Sequence, residues 1–233
     1  MMPDVSLVLP CYNEGPTLRR SLDRIEDTMR RTGWSFELIL IDDASRDATP
    51  EAVEAFARET DAPVRTIFHE RNRGRGATVC EGLSVADGAV TGFLDVDLEI
   101  DCVHVPRFVR AVQAGADVVT ARRVYEVGVR EVHRYLASRL YARLVRWRLD
   151  VPLTDTEAGF KFFADDAAQA LVAETNESGW FWDTEVLAVA LRKGLEVVEL
   201  PAPYVRRRDK SSTVRLLPDT IEYLRAMRRF QEG

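Results

Sequence analysis

The sequence lacks the features that mark several common classes of protein. It contains only three cysteines, Cys11, Cys80 and Cys102, whose odd number and scattered spacing fit neither a disulfide framework nor a zinc site. It has no run of 18 apolar residues, so no membrane-spanning helix is predicted. The first four residues lack the positive charge of a signal peptide. We therefore expect a cytoplasmic location, and contact with the cytoplasmic face of a membrane stays open.

Lysine is also scarce in this chain. Lysine occurs only at Lys161, Lys193 and Lys210, and the formal net charge is −6, which argues against general nucleic-acid binding. The composition is that of a soluble globular protein, with 46% hydrophobic and 30% charged residues. A chain of 233 residues can form one large domain or two small ones with an ample core. The sequence leaves the oligomeric state open.

The first half of the chain alternates apolar runs with amphipathic segments. The runs predict strands at Val5–Leu9, Phe36–Ile41, Val64–Phe68, Val90–Leu94 and, starting at Asp117, 117–120. The segments between them predict helices at Pro16–Arg31, Ala48–Glu59, Ala77–Val85 and Val105–Ala114. Such alternation predicts an α/β fold with a mostly parallel central sheet flanked by helices.

The second half is less regular. Helices are predicted at His133–Leu149, Ala164–Ala173, Thr184–Lys193 and Leu216–Phe230, and a strand at Leu195–Leu200 that Pro201 ends. We divide one predicted domain, 1–233, into a nucleotide-sugar-binding half, 1–121, and an acceptor-binding half, 122–233, with an amphipathic C-terminal helix.

Alternating carboxylates follow the strand that ends at Leu94, in the sequence Asp95-Val96-Asp97-Leu98-Glu99. Two carboxylates one residue apart at a strand end can hold a hard divalent cation that keeps positions open for substrate phosphates. A solvated acidic loop is the alternative interpretation.

Polar residues follow two other predicted strands. Tyr12 could contact a nucleotide base, and Glu14 a ribose hydroxyl or a base N–H, although the loop also suits an ordinary turn. Asp42 or Asp43 is predicted to hold the base or the ribose, because an unligated buried aspartate is unfavourable. Ligands bind beyond the carboxyl ends of strands in such sheets, so these loops are expected to converge on one crevice.

A glycine-rich basic loop precedes the third helix. Gly74 and Gly76 would let the backbone approach a ligand, and Arg75 with the helix N-terminus would favour an anion such as pyrophosphate. An ordinary turn is the alternative.

Six segments of the chain resemble those of family 2 glycosyltransferases. They are VLPCYNE (8–14), IDDASRDAT (41–49), NRGRGAT (72–78) and FLDVDLE (93–99), followed by DTEAGFKFF (155–163) and YVRRRDKSS (204–212). The order and spacing are similar to those of enzymes that make polyprenyl-phosphate sugars, such as dolichyl-phosphate mannose and glucose synthases. The resemblance covers nearly the whole chain. It implies a GT-A fold and inverting, metal-dependent transfer of a hexose from UDP-glucose or GDP-mannose to a polyprenyl phosphate.

The resemblance also implies roles for individual residues. Asp95, Asp97 and Glu99 would bind Mg²⁺ or Mn²⁺, with Val96 between them at the nucleotide. Nucleotide contacts would come from Pro10, Tyr12, Glu14 and Asp42. Arginines that meet donor or acceptor phosphates would be Arg122, Arg134 and Arg139. A closing loop would contain Arg206 or Arg207 with Lys210 and Ser211, although it lacks the glycine usual in the family.

The acceptor decides whether a general base is needed. A lipid phosphate is already ionised at neutral pH, so arginines that orient phosphates matter more than a base. Asp155, Asp183 and Glu185 are candidate bases for a hydroxyl acceptor, or else capping or surface carboxylates.

Three other classes of protein share parts of the pattern. A nucleotidyltransferase would carry a glycine-rich loop directly after the first strand, where PCYNEG stands. A processive polysaccharide synthase would carry a Q-x-x-R-W motif and membrane-spanning helices. A binding module without catalysis would not need the acidic pairs. A glycosyltransferase for a soluble or glycan hydroxyl acceptor is the main alternative.

Overall fold

The fold was analysed in a computed structural model, which describes residues 2–125, 143, 145–206 and 216–232. The described residues form seven strands: β1 Val5–Cys11, β2 Phe36–Asp42, β3 Val64–Phe68, β4 Val90–Leu94, β5 Val118–Tyr125, β6 Phe160–Ala164 and β7 Val197–Tyr204. The helices are α1 Gly15–Arg30, α2 Thr49–Glu59, α3 Arg75–Ser84, α4 Val105–Gln113, α5 Asp165–Val172, α6 Trp182–Arg192 and α7 Leu216–Glu232. No helix among the described residues is long and apolar enough to cross a membrane.

The strands form one sheet in the order β3-β2-β1-β4-β6-β5-β7. Every neighbouring pair is parallel except the two that involve β6, which runs antiparallel to β4 and β5. The predicted α/β class with a mostly parallel sheet is therefore confirmed. Strands from both halves of the chain contribute to this one sheet.

Alternate side chains of the central strands enter two apolar layers, as a strand period of two requires. Leu7 and Leu9 of β1 face the layer formed with α1, α2 and α4. Val8 faces the opposite layer, formed with α3, α5, α6 and α7. Burial on both faces explains why β1, β2 and β4 read as continuous apolar runs.

Two strands differ from the sequence prediction. The aromatic segment at 160–164 was not predicted as a strand, yet it forms β6 in the middle of the sheet. The strand that we expected Pro201 to end continues through Pro203 to Tyr204. Because β7 is an edge strand, the N–H groups that its prolines lack would face away from the sheet. Their absence therefore removes no hydrogen bond between β7 and its neighbour β5.

Strand direction determines which loops meet. Cys11 pairs with Asp42, and Leu94 pairs with Phe160, so the carboxyl ends of β1, β2 and β4 share an edge with the amino end of β6. This register places Gly159 beside Asp95, since the Asp95 N–H donates to the Gly159 carbonyl at 3.0 Å.

Candidate active site

The loop after β1 is tied to the loop after β2 by side-chain hydrogen bonds. Asn13 has a left-handed backbone (φ 56°), which asparagine tolerates. Its N–H donates to the Ser45 hydroxyl and its side-chain oxygen accepts the Arg46 N–H, both at 2.9 Å. The N–H of Glu14 donates to Thr49 Oγ1 at 2.7 Å. These bonds hold both loops in fixed positions at the edge of the sheet.

Asp43 organises the glycine-rich loop. Its Oδ1 accepts the Arg73 N–H at 2.7 Å and lies 2.6 Å from His69 Nδ1, and its Oδ2 accepts the Gly74 N–H at 2.9 Å. The other ring nitrogen of His69 lies 2.9 Å from Glu81 Oε2. Both carboxylate oxygens of Asp43 are thus used by the protein, which gives this residue a local structural function beside its predicted nucleotide contact.

Asp42 is bound less completely. It is 2% exposed, and one oxygen accepts the Ser45 N–H at 3.1 Å. Its other oxygen, Oδ1, has no hydrogen-bond partner among the described residues. A buried carboxylate oxygen without a donor is unfavourable, so this atom is suited to a donor that a ligand brings.

The two glycines of the loop before α3 are required by packing. A Cβ atom on Gly74, whose φ is +91°, would lie 2.5 Å from the Ser178 carbonyl oxygen. A Cβ on Gly76 would lie 2.5 Å from both the Glu177 carbonyl oxygen and the Trp182 Cβ. These glycines were predicted to let a ligand approach the backbone, whereas the atoms that crowd them in the structure belong to the segment 177–182.

Arg75 points at carboxylates of its own chain. Its guanidinium pairs with Asp95, and its Nε lies 2.9 Å from Asp183 Oδ2. The same group lies 5.5 Å from the Phe93 ring centroid and 5.4 Å from that of Trp180. Arg75 is therefore the cation that neutralises the strand tip of β4 in this structure.

A tight turn after β4 brings two aspartates to one side. The Leu98 N–H donates to the Asp95 carbonyl at 3.1 Å, and Leu98 has a φ of 56°. A Cβ on Gly159 would lie 1.9 Å from Asp95 Oδ2, so only glycine leaves room for this carboxylate. Burial raises the pKa of Asp95 to about 6; Arg75 opposes this shift and Asp97 adds to it.

A buried lysine is linked to this turn through Asp183 and Arg75. Lys161 of β6 is fully buried, and its Nζ donates to Asp183 Oδ1 at 2.7 Å and to the Ala158 carbonyl at 2.6 Å. Burial lowers the pKa of Lys161, and Asp183 opposes the shift. Lys161, Asp183, Arg75 and Asp95 thus form one continuous chain of alternating charge. No function was predicted for Lys161, although a lone lysine between the phenylalanines of 160–163 in a lysine-poor chain is a recognisable signal.

The Glu99 carboxylate contacts β7, whereas the Glu99 backbone N–H donates to Asp97 Oδ1 at 3.2 Å. The carboxylate of Glu99 accepts a hydrogen bond from the Tyr204 hydroxyl, and its carbonyl accepts the Val205 N–H at 2.8 Å. Burial and the contact with Glu99 raise the pKa of Tyr204 well above its ordinary value. Within the described part of the chain, no three His, Cys, Asp or Glu side chains are grouped as metal ligands. The predicted set of Asp95, Asp97 and Glu99 is therefore not assembled here, and Glu99 instead fixes the end of β7.

Asp155 is held by an arginine that the sequence did not single out. Its oxygens lie 2.7 Å from Arg123 Nε and 2.8 Å from Arg123 Nη2, and its own N–H donates to Glu199 at 2.7 Å. Burial would raise the pKa of Asp155, but Arg123 outweighs burial and holds it below the ordinary value near 3.8. This geometry disfavours Asp155 as a general base.

Two of the remaining predicted residues, Arg122 and Arg206, belong to the described part of the chain. Arg122 is half-buried near the end of β5, and Arg206 is exposed just after β7. Five predicted residues lie outside the described residues: Arg134, Arg139, Arg207, Lys210 and Ser211.

The converging loops enclose a cleft of about 740 Å³. Nine of the predicted site residues line it: Pro10, Tyr12, Glu14, Asp43, Gly74, Arg75, Asp95, Val96 and Asp97. Its other wall was not predicted and comes from the segment 177–181 and from Glu222, Tyr223 and Ala226 of α7. Tyr223 packs against Phe181 with ring centroids 5.0 Å apart, so α7 is seated directly on this segment.

Comparison with known proteins is consistent with this geometry. The model of the family described as "Glycosyl transferase family 2" matches residues 6–171. Glycosyltransferase AglD of Haloferax volcanii is 34% identical over 211 residues, which are 88% of this chain and 34% of that protein. The undecaprenyl-phosphate 4-deoxy-4-formamido-L-arabinose transferase of Pseudomonas aeruginosa (strain LESB58) is 35% identical over 169 residues, 72% of this chain and 49% of that protein. The chain thus spans a third to a half of the length of these relatives.

Solved structures show the same fold. Glucosyl-3-phosphoglycerate synthase of Mycobacterium tuberculosis in complex with UDP has a TM-score of 0.74 at 20% identity, covering 99% of this chain and 80% of that one. A second structure of that enzyme, with Mn²⁺, UDP-glucose and phosphoglyceric acid, has a TM-score of 0.71 at 20% identity, covering 98% and 78%. At this identity the likeness establishes the fold.

Proposed function

Because the chain belongs to glycosyl transferase family 2 and is a glycosyltransferase of the GT-A fold, we propose that it moves a hexose from a nucleoside-diphosphate sugar to a polyprenyl phosphate, with inversion. One observation carries the proposal: Asp95 and Asp97 line the same cleft as Tyr12 and Glu14. A diphosphate between these two pairs would have a nucleoside at the β1 tip and its sugar near the β4 tip.

The donor set suits a hard divalent cation. Mg²⁺ is usually bound through one or two carboxylates plus substrate phosphates, and Asp95 and Asp97 offer two carboxylates in one turn. When bound, Mg²⁺ or Mn²⁺ would neutralise the charge that develops on the departing diphosphate. The Mn²⁺ in the glucosyl-3-phosphoglycerate synthase complexes supports the choice of metal class. We propose that the two aspartates suffice and that Glu99 acts through the position of β7.

The nucleoside would be held by the tips of β1 and β2. The Asp42 oxygen that lacks a hydrogen-bond partner among the described residues can accept from a base or ribose donor. Pro10, Tyr12, Glu14 and Val96 line the cleft, whereas Asp42 is buried behind the lining residues. We propose that residues 1–121 bind the donor and residues 122–233 the acceptor, since segments of both line the cleft.

The acceptor would supply an ionised oxygen. Asp155 is bound by Arg123 and Asp183 by Lys161 and Arg75, so neither carboxylate is placed to take a proton from a hydroxyl. A phosphate acceptor needs no such base, and the relatives named for undecaprenyl phosphate support this class of acceptor. We propose that Arg122, Arg134 and Arg139 orient its phosphate, with Arg206 or Arg207, Lys210 and Ser211 closing the site.

A soluble hydroxyl acceptor is the second candidate. The similar fold of glucosyl-3-phosphoglycerate synthase, solved with phosphoglyceric acid, favours it. Such an acceptor would need a general base, and Glu185 is the remaining candidate. Its carboxylate, however, already accepts the N–H groups of Asn176 and Glu177 at 3.1 and 2.9 Å. The geometry therefore favours the phosphate acceptor.

A transfer assay tests the proposal. UDP- and GDP-hexoses are offered with Mn²⁺ or Mg²⁺ and a short water-soluble polyprenyl phosphate, and a sugar–lipid product is measured by mass. Asp97→Asn should lower the rate by roughly 10²-fold or more, because a charge-stabilising ligand is lost. Asp101→Asn, an acid four residues later that caps the turn at 102–104, is the matched control and should retain activity. Transfer to soluble hydroxyl acceptors alone would replace the proposed acceptor with the second candidate.

A further inference from the structure

A short helical stretch before β6 presents an unusual outer face. Residues 145–149 are helical, and Val145 and Leu149 are 1% and 8% exposed, so they face the apolar layer that also contains α7. That arrangement turns Trp147 outward, and at 75% its exposure is the highest among the large hydrophobic side chains of the described residues. An exposed tryptophan of this kind is unfavourable in water and calls for a partner.

The tryptophan is surrounded by positive charge. Arg143, Arg146 and Arg148 are exposed, and positions 143, 146 and 147 follow the i, i+3, i+4 spacing of one helix face. The Arg148 guanidinium lies 5.2 Å from the Trp147 ring centroid. No carboxylate of the described residues pairs with these three arginines. In a chain of net charge −6, three exposed arginines without a carboxylate partner in the described part of the chain are a local concentration of positive charge, although Arg148 Nη1 also lies 3.5 Å from Gln231 Oε1.

This face adjoins the wall of the cleft. The Gln231 side chain donates to the Arg148 carbonyl at 2.6 Å, so the end of α7 lies against the 145–149 stretch. Leu224, 40% exposed, lies two helical turns before Gln231 on the same side of α7. Tyr223, its neighbour, lines the cleft. Eight residues of helix separate Tyr223 from Gln231, which is about 12 Å.

We propose that Arg143, Arg146, Trp147 and Arg148, here called the Trp147 face, dock on an anionic phospholipid bilayer. Tryptophan prefers the headgroup level of a membrane, arginines nearby attract anionic lipids, and Leu224 extends the apolar contact. The inference rests on the proposed acceptor and deepens it, because the helix that contacts this face at Gln231 lines the cleft at Tyr223. A charged protein partner would not require an exposed indole among arginines, so the bilayer fits better.

The direct test is co-sedimentation with vesicles. The whole chain is mixed with vesicles of phosphatidylcholine alone or with 30 mol% phosphatidylglycerol, at low and high salt. The wild type should sediment with the anionic vesicles and be released near 1 M salt, where the screening length falls to about 3 Å. Trp147→Ser and the double variant Arg146→Glu/Arg148→Glu should each weaken partitioning by roughly tenfold or more.

A charge-matched control separates this face from general electrostatics. Arg20→Glu/Arg110→Glu makes the same change in net charge on exposed positions of α1 and α4 and should sediment like the wild type. Trp147→Phe should restore part of the binding that Trp147→Ser loses. Emission of Trp147, obtained as the difference between wild type and Trp147→Phe, should shift to the blue on addition of anionic vesicles.

The outcomes distinguish this inference from the proposed function. Wild-type protein left in the supernatant with anionic vesicles at low salt, or equal binding by the Trp147 and Arg20/Arg110 variants, would overturn the docking face. Self-association through Trp147 without vesicle binding would overturn it as well. Vesicle binding without transfer to any lipid phosphate would leave the docking face standing and remove the acceptor assignment. If both hold, Trp147→Ser should slow transfer to acceptor embedded in vesicles while transfer to the water-soluble acceptor is unchanged.

Discussion

The tips of β2 and β4 carry nearly the same sequence pattern, an apolar strand followed by two aspartates, yet the structure treats them differently. At the β2 tip, Asp43 is satisfied by backbone N–H groups and His69. At the β4 tip, Asp95 is satisfied by the guanidinium of Arg75, which Asp183 also holds. Backbone donors are fixed, whereas a side-chain cation can move. We propose that the β2 tip acts as a permanent support and the β4 tip as a site where a bound cation takes the place of Arg75.

The pKa of Asp95 agrees with that difference. Burial raises it to about 6 even though Arg75 opposes the shift. A carboxylate that its surroundings stabilise incompletely gains more from an added divalent charge than one already saturated with hydrogen bonds. Variants that remove the partners of each aspartate test this difference between the two strand tips.

Removing the buried lysine should have the largest effect. Lys161→Met would leave the Asp183 carboxylate, which is 2% exposed, with Arg75 alone, and should lower the free energy of unfolding by about 3–5 kcal/mol. Denaturant unfolding measures it. Because Arg75 would be drawn toward Asp183 and away from Asp95, the variant should bind Mn²⁺ with UDP at least as tightly as the wild type.

Lys193→Met is the matched control. Its partner Glu174 lies on the surface, with the two side chains 32% and 51% exposed, so the loss should stay below about 1 kcal/mol. Equal losses in the two lysine variants would show that the buried charge chain does not stabilise the fold.

The two aspartates at the β2 tip should respond in opposite ways. Asp43→Asn would turn one acceptor into a donor facing the Gly74 or Arg73 N–H, and should lower the free energy of unfolding by about 2–3 kcal/mol. Asp42→Asn should change stability little or raise it, because one oxygen of Asp42 lacks a donor among the described residues. Its effect should instead be weaker binding of UDP or GDP. Calorimetric titration measures the effect on nucleotide binding, and denaturant unfolding measures the effect on stability. A loss of stability confined to Asp42→Asn would refute the structural function of Asp43.

Asp155 gives the smallest expected effect and a pH test. The pKa of Asp155 is lowered in the folded state. The ionised carboxylate therefore stabilises the fold at pH values above its ordinary pKa near 3.8, and this contribution is lost as the pH falls through the folded-state pKa. Asp155→Asn should therefore cost about 1–2 kcal/mol at neutral pH, since Glu157 at 3.5 Å remains for Arg123. Unfolding curves of variant and wild type should converge below about pH 4. A difference that persisted unchanged into acid would contradict the pairing with Arg123.

The regular half of the fold was open to prediction because its signals are local. Continuous apolar runs, such as Phe36–Ile41, can be read one segment at a time, and the strands and helices up to 113 follow the predicted order. β6 was missed because its place between β4 and β5 is a matter of pairing over about 70 residues of sequence, which no local pattern encodes. The passage of β7 through two prolines likewise depends on its position at the sheet edge.

Residue type and spacing were enough to predict the family, the α/β class and the acids that meet at the carboxyl ends of β1, β2 and β4. The partner of each acid depends on the folded chain: Asp43 is bound by the glycine-rich loop, Glu99 by Tyr204, and Asp95 by an arginine anchored through Asp183 to a buried lysine. Hydrogen bonds and ion pairs act over a few ångströms in space, between residues as far apart in sequence as Arg75 and Asp183. Their pattern exists only once the sheet has brought the strand tips together.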